Sequence, residues 1–136
     1  MNEHQEVDPD TLDYVNGVFL MGGQLFTGLG VQRHPGGNKR DEVPFVDGRE
    51  HGIARSWRQG GTLTGETTYV RGLKHGPRRE WFEDGSLKSE ELFEFDHLMR
   101  KEVRNERQEV IERYECPTTS PIYQRIVERR KAGGPE

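Results

Sequence analysis

The sequence predicts a mainly β protein, built as an elongated antiparallel sheet of consecutive β-hairpins with a short capping helix at the C-terminus. A shift of 24 residues superposes one stretch of the chain on the next, which is typical of a repeat architecture. Hydrophobic residues make up only 30% of the chain and charged residues 32%, so each element can bury little more than one face. Asp84-Gly85 stands between two short runs that suit strands, which is the pattern of a hairpin.

Composition divides the chain into three parts. Residues 1–13 are rich in acidic groups and hold no apolar run, which indicates an acidic, flexible N-terminal tail. Residues 14–115 hold the hairpin pattern, and residues 116–136 are expected to form a helix and a tail. Because the first residues resemble neither a secretory signal nor a membrane-spanning segment, we expect a cytoplasmic protein.

The repeat is clearest between residues 48 and 93. The shift superposes an apolar set that we expect to form the core of the repeat, with Trp57, Leu63 and Tyr69 matching Trp81, Leu87 and Phe93. It also superposes glycines expected at turns and close approaches, with Gly48, Gly52 and Gly61 matching Gly72, Gly76 and Gly85. Residues 26–47 hold an earlier, degenerate copy. Neighbouring units must stack, because a lone hairpin leaves its apolar face uncovered.

Cross-strand chemistry predicts the register inside a unit. If residues 83–85 form a three-residue loop, Trp81 lies opposite Leu87. The same register sets two oppositely charged pairs, Arg78 with Glu90 and Glu80 with Lys88. Each unit then has one aromatic face, formed by Trp57, Leu63 and Tyr69 in one copy and by Trp81, Leu87 and Phe93 in the next. We expect both tryptophans to be largely buried.

The C-terminal third departs from the repeat. An amphipathic helix over residues 96–115 would suit the spacing of Met99, Val103, Val110 and Tyr114. Extrapolation of the repeat suits one more hairpin instead, and we favour the hairpin. Ser120 followed by Pro121 is a helix start signal. We therefore expect a short helix after residue 120 that caps the open end of the sheet.

The sequence offers no constellation that indicates catalysis. Cys116 is the only cysteine, which excludes an intrachain disulfide and a cysteine-rich metal site. His51 and His75 lack carboxylates or thiolates at ligand spacing, and we interpret them as turn residues rather than as a metal pair. No glycine-rich loop precedes a helix, and no nucleophile stands beside a base. We predict that the protein is not an enzyme and uses no cofactor or metal.

Charge is segregated along the chain, although the net charge is only −4. Residues 49–82 hold seven basic and three acidic groups, and residues 83–96 hold one basic and six acidic groups. This alternation argues against a nucleic-acid partner, because phosphate affinity needs a continuous basic surface. The acidic stretch argues in the same way against a membrane partner, because anionic lipid repels it.

The histidines and glycines of the repeat carry a family resemblance. Gly48-x-x-His51-Gly52 with Trp57, repeated as Gly72-x-x-His75-Gly76 with Trp81, resembles the bacterial variant of the MORN repeat. In particular, residues 17–94 resemble the YwqK-type antitoxin family, the immunity partners of secreted bacterial toxins. The resemblance implies an immunity protein that binds and neutralises a cognate toxin. The chain departs from the pattern at Arg33 and Lys39, where the tryptophan and leucine are absent.

Two functions follow from this resemblance. The first is the immunity protein, and residues 83–96 would suit a toxin with a basic active-site cleft. The alternative is a MORN-repeat scaffold or membrane-surface adaptor without a toxin partner, which the same acidic residues disfavour.

The partner-binding site is expected where the two clearest units differ in sequence. On the outer face, an apolar anchor inside a charged rim would be formed by Phe82, Glu83, Asp84, Glu90, Leu92 and Glu94. The alternative is that Phe82 and Leu92 are covered by the C-terminal helix, through Ile122, Ile126 and Val127.

Overall fold

The computed structural model describes residues 5–133. A long sheet dominates, with strands in the spatial order β1 (Glu6–Val7), β5 (Gly28–Arg33), β6 (Lys39–Val46), β8 (Gly52–Trp57), β9 (Leu63–Val70), β10 (Leu73–Trp81), β11 (Leu87–Glu94), β12 (His97–Arg104) and β13 (Val110–Glu115). The short strand β7 (Arg49–Glu50) also belongs to this sheet and pairs with β6, outside the order just given. A small separate sheet contains β2 (Asp13–Val15), β3 (Val18–Met21) and β4 (Gln24–Leu25). The helix α1 (Pro121–Lys131) follows, so the predicted mainly β class and C-terminal helix are confirmed.

The long sheet is mixed rather than wholly antiparallel. Its first strand, β1, runs parallel to β5, with Glu6 opposite Leu29. The other described neighbours in the sheet are antiparallel. A parallel pair needs a long connection, which here contains a 3-10 helix (Pro9–Thr11) and the small sheet. The expected purely antiparallel sheet is therefore wrong at this edge.

Residues 5–13 are ordered against the sheet, unlike the flexible tail that their acidity predicts. The N–H of Leu29 donates to the carbonyl of Gln5 at 2.7 Å. Leu12 is buried in a cluster with Phe26 and Phe45. The tail prediction is wrong for these residues because Leu12 joins a core that the local composition does not reveal. Residues 1–4 of that prediction lie outside the described part.

The hairpins between residues 28 and 115 close through the same kind of loop. In one of them the N–H of Phe82 donates to the carbonyl of Ser86 at 2.8 Å, and the N–H of Gly85 donates to the carbonyl of Phe82 at 2.9 Å. Gly85 has a φ of +89°, which completes the three-residue loop that the sequence predicts. Equivalent bonds close the loops that begin at His34, Arg58 and Asn105.

Two-residue turns join successive hairpins. Their central residues both have a positive φ, which defines a type I′ turn, and they are Asp47-Gly48, Arg71-Gly72 and Phe95-Asp96. Phe95, with a φ of +49°, is the unusual member. A left-handed backbone at a non-glycine residue costs about 1–3 kcal/mol, so the surroundings of Phe95 must compensate for this strain.

The register confirms one predicted pair and corrects two others. Trp81 lies opposite Leu87, as predicted. A β-bulge at Lys88 then shifts the ladder by one residue, so that Arg79 lies opposite Glu90 and Arg78 opposite Glu91. The predicted Arg78–Glu90 pair is therefore wrong, and so is the Glu80–Lys88 pair, since Glu80 lies opposite Ser89. The bulge adds a residue that the pattern of charges does not indicate.

The bulge also divides the expected aromatic face. Phe93 lies opposite Gly76, five residues before Trp81 on the same strand, so alternation turns Phe93 and Trp81 to opposite faces. Tyr69 is turned away from Trp57 in the same way. Phe93 is 7% exposed, whereas both tryptophans are only partly buried. The expected burial of the tryptophans is not observed, because a single layer of sheet does not cover them.

Apolar burial is concentrated at the two ends of the long sheet. One cluster contains Leu12, Phe26 and Phe45, and the other contains Phe95, Met99, Cys116 and Ile126. Within residues 52–81, all of which the structure describes, Val70 is the only buried apolar side chain. The middle of the sheet therefore lacks an apolar core, and both of its faces remain partly accessible.

The C-terminal third follows the predicted order of a hairpin and then a helix. Residues 97–115 form β12 and β13, which confirms the favoured hairpin. The hydroxyl of Ser120 accepts a hydrogen bond from the N–H of Tyr123 at 3.0 Å and begins α1. Ile126 of the helix is 0% exposed and packs with Phe95 and Met99.

Within residues 5–133, no helix is long and apolar enough to cross a membrane.

Candidate partner-binding surface

One face of the long sheet carries a row of charged side chains. The register places each of them directly opposite the next, from β6 through β8 to β13. We call this row the charge ladder, and its members in order are Glu42, Arg55, Glu66, Arg79, Glu90, Glu102 and Arg113. The sign alternates until Glu90, which lies opposite Glu102. The ladder therefore contains one like-charge step, between β11 and β12.

Ion pairs connect neighbouring members of the charge ladder. The distances from the arginine Nε to a carboxylate oxygen are 2.8 Å for Arg55–Glu66, 2.6 Å for Arg79–Glu90 and 3.3 Å for Arg113–Glu102. These side chains are partly exposed, and such cross-strand pairs contribute only about 0.2–1 kcal/mol each. The ladder therefore adds little stability, and its regular charges are available for recognition.

The like-charge step brings together two carboxyl side chains, Glu90 and Glu102. Arg104 donates a hydrogen bond to Glu102 at 2.5 Å, and this bond is the main reason that the pKa of Glu102 is below its ordinary value. The charge of Arg104 and contacts with Arg113 act in the same direction. Glu102 thus stays negative at neutral pH opposite Glu90, and like charges in that position repel. Arg79 pairs with Glu90, and Arg104 and Arg113 pair with Glu102, so a further cation between the two carboxylates would share them with these arginines.

A groove lies over this step. It is a cavity of about 680 Å³, and Pro77 and Leu92 contribute its apolar contacts. Its charged lining includes Arg79, Glu90, Arg100, Glu102, Arg113 and Glu115. The groove thus presents an apolar strip beside fixed charges of both signs, which is the composition of a protein-binding surface.

The structure brings together only part of the predicted partner-binding patch. Glu90 and Leu92 both line the groove. Phe82 lies in a separate cavity of about 390 Å³ with Val103 and Ile111. The basic side chains around that cavity are Lys88, Arg104 and Arg107. The expected single acidic patch is therefore divided between two surfaces, because the bulge and the hairpin loop separate Phe82 from Leu92.

The remaining predicted residues have local structural contacts. Nε and one terminal guanidinium nitrogen of Arg130 in α1 donate to the two carboxylate oxygens of Glu94, at 2.7 and 2.6 Å. The carboxylate of Asp84 accepts hydrogen bonds from Ser86 inside the hairpin loop, while Glu83 is exposed. The alternative in which the helix covers Phe82 and Leu92 is not observed, since neither belongs to the cluster around Ile126.

The repeated histidines tie one hairpin to the next. Nδ1 of His51 accepts from the N–H of Arg71 at 3.2 Å, and Nδ1 of His75 accepts from the N–H of Phe95 at 3.0 Å. Thr27 holds Asp47 in the same way at 2.9 Å. The interpretation of both histidines as turn residues is wrong, because His75 lies within β10 and His51 lies between β7 and β8, and each instead binds the backbone of a two-residue turn. Among the described residues, no group of three potential metal-binding side chains is found.

The repeated glycines permit close packing of the same units. Gly76 has a φ of +121°, and a Cβ there would lie 3.2 Å from the side chain of Thr68. Gly52 has a φ of +114°, and a Cβ there would lie 3.1 Å from Pro44. The close approach predicted at these positions is therefore present, and the neighbour is a side chain of the preceding strand.

Most of the charge ladder was not among the residues singled out in the sequence. A signal was present, because Glu42, Glu66 and Glu90 are 24 residues apart, as are Arg55 and Arg79. The ladder itself could not be read from this spacing. It depends on the bulge, which moves Arg79 rather than Arg78 opposite Glu90.

No protein-family model and no curated protein matches the chain.

Proposed function

We propose that the chain is an immunity protein, an antitoxin that acts in the cytoplasm by binding a cognate bacterial toxin and catalyses no reaction itself. The resemblance of its repeats to MORN units of the YwqK type supports this function. In this proposal the hairpins are MORN-like units of 24 residues. The recurrence of type I′ turns at Asp47, Arg71 and Phe95 supports that division, because the turns stand one period apart.

The proposed binding site is centred on the like-charge step in the groove. A lysine or arginine from a basic toxin cleft would lie between Glu90 and Glu102 and share their carboxylates with the arginines that already pair with them. Leu92 would contribute an apolar contact next to this charge, as an anchor within a polar rim. The acidic step thus selects a partner with a basic cleft, as expected from the acidic stretch of the sequence.

The open middle of the sheet supports the same function. Neutralisation by occlusion requires a broad, rigid surface, and the strands from β8 to β12 form a continuous ladder of hydrogen bonds. Complementary charge would speed the encounter with the toxin and fix its orientation. Toxin substrates would then be excluded because the sheet covers the cleft.

A protection assay tests the proposed function. The protein encoded by the neighbouring gene is expressed in bacteria with and without this chain, and growth is followed. We expect the neighbour to stop growth alone and the chain to restore growth, with both proteins eluting as one complex after purification. The proposal is overturned if the neighbour is harmless, or if protection occurs without a complex.

A further inference from the structure

The long sheet ends at β13, and no other described strand lies along the outer edge of this strand. Ile111 and Tyr114 of this strand are 63% and 41% exposed. Such an edge offers unpaired backbone N–H and C=O groups to another strand. The edge is therefore a surface that a further strand can extend.

The hydrogen-bond pattern of the hairpin shows which groups point outward. The N–H of Cys116 donates to the carbonyl of Met99 at 2.9 Å. In an antiparallel ladder this bond makes Glu115 a non-hydrogen-bonded member of its pair with β12. Alternation then directs the backbone groups of Tyr114 toward β12 and those of Arg113 and Glu115 outward.

We propose that two copies of this chain pair through β13 as a symmetric antiparallel dimer. Tyr114 of each copy would face Tyr114 of the other at the two-fold axis. Arg113 of each copy would then lie opposite Glu115 of the other, and each of these pairs would exchange both of its backbone hydrogen bonds. This association extends beyond the proposed function, although Arg113 and Glu115 also line the groove.

Charge selects this register over its neighbours. The outward groups fix the pairing to registers that differ by two positions, because a one-residue slip would turn every side chain to the other face. The adjacent registers place either Arg113 opposite Arg113 or Glu115 opposite Glu115 of the second copy. Like charges directly opposite one another are destabilising. The register centred on Tyr114 is the one that pairs opposite charges.

The same register continues the charge ladder across the dimer. Within one copy, Glu102 lies opposite Arg113 and Arg100 lies opposite Glu115. Across the proposed interface the row would read Glu102 and Arg113 of one copy, then Glu115 and Arg100 of the other. Its sign alternates throughout. The edge is thus complementary to itself, which favours a second copy over a strand of unrelated sequence.

Sedimentation velocity of the purified chain over a wide range of concentrations tests the dimer. The wild type should pass from monomer to dimer as concentration rises. Arg113→Glu alone and Glu115→Arg alone should each weaken self-association by about tenfold or more, equivalent to about 1.4 kcal/mol. Mixing these two variants should restore dimers, because each negative edge then meets a positive one.

Two further variants control for folding and for the edge. Glu112→Gln, on the opposite face of the same strand, should leave the dimer unchanged. Arg113→Pro removes one outward N–H that β12 does not use, and it should give a folded monomer by circular dichroism. A wild type that stays monomeric at every concentration would overturn the proposal. A mixture of the two charge variants that fails to associate would also overturn it. The same holds if the chain associates only through a strand of the toxin.

Discussion

Nδ1 of His75 accepts a hydrogen bond from the backbone N–H of Phe95 at 3.0 Å. Their rings also meet edge to face, with centroids 4.9 Å apart. Phe95 is 3% exposed and stands at the left-handed position of a turn. This contact therefore satisfies a backbone group that water cannot reach, and it links one hairpin to the turn that leads to the next.

His75→Ala should lower the free energy of unfolding by about 1–3 kcal/mol, because it leaves the N–H of Phe95 buried without a partner. The matched control is His51→Ala, whose partner Arg71 is exposed, so water can replace the lost bond and the loss should be smaller. Urea unfolding of both variants measures the difference. Equal losses of unfolding free energy in the two variants would show that the hydrogen bond to Phe95 stabilises the protein no more than the exposed bond to Arg71.

Phe95→Ala should destabilise the protein by about 3–5 kcal/mol, as for other large-to-small changes in a core. Trp81→Ala should cost clearly less, although tryptophan is larger, because Trp81 is only partly buried. Urea unfolding curves of the two variants test this order. A larger loss for Trp81→Ala would mean that the middle of the sheet is covered in solution.

The hairpins and their turns could be predicted from the sequence because the chemistry that forms them is local. Asp84-Gly85 predicts its own loop, since Gly85 supplies the left-handed residue. The bulge at Lys88 could not be predicted in this way. No residue type is required there, and the shift shows itself only in the pairing of two strands. The statements about which side chains of β10 and β11 share a face depended on that one residue, and a separate register shift between Ser56 and Trp57 had the same effect in β8 and β9.

The divided binding site has a similar physical origin. Phe82 and Leu92 are close in sequence, but the loop directs Phe82 toward Val103 while Leu92 lines the groove. The acidity of the stretch was also misleading at Glu94, because its partner Arg130 is 36 residues away. Long-range ion pairs of this kind leave no local signal in the sequence.

Glu94→Gln should loosen α1, because it removes the bidentate ion pair with Arg130. Amide hydrogen exchange should become faster in residues 121–131 and stay unchanged in the hairpins before Glu94. Glu128→Gln is the matched control, since its pair with Lys131 is exposed and lies within the helix. If the two variants exchange alike, Arg130 does not hold the helix in place.

The Asp84 loop should give a local dependence of stability on pH. Hydrogen bonds from Ser86 hold the pKa of the Asp84 carboxyl below its ordinary value of 3.8. A carboxylate with a lowered pKa in the folded state contributes stability above its ordinary value, and this contribution is lost as pH falls through the folded pKa.

Asp84→Ala should therefore be less stable than the wild type at neutral pH, and the difference should close in strong acid. Urea unfolding at both pH values measures the difference. Glu83→Gln, in the same exposed loop, should show little change at either pH. A gap between wild type and Asp84→Ala that persists in acid would assign the effect to something other than the carboxylate.

The central claim is that the groove over the like-charge step binds the toxin, and calorimetry of binding to the neighbouring gene's protein tests it most directly. The double variant Glu90→Gln with Glu102→Gln should weaken binding by about 2–5 kcal/mol while remaining folded, because a cation from the toxin loses both of its partners. Glu112→Gln, on the opposite face of the sheet, should bind as the wild type does. Unchanged affinity in the folded double variant would contradict the account.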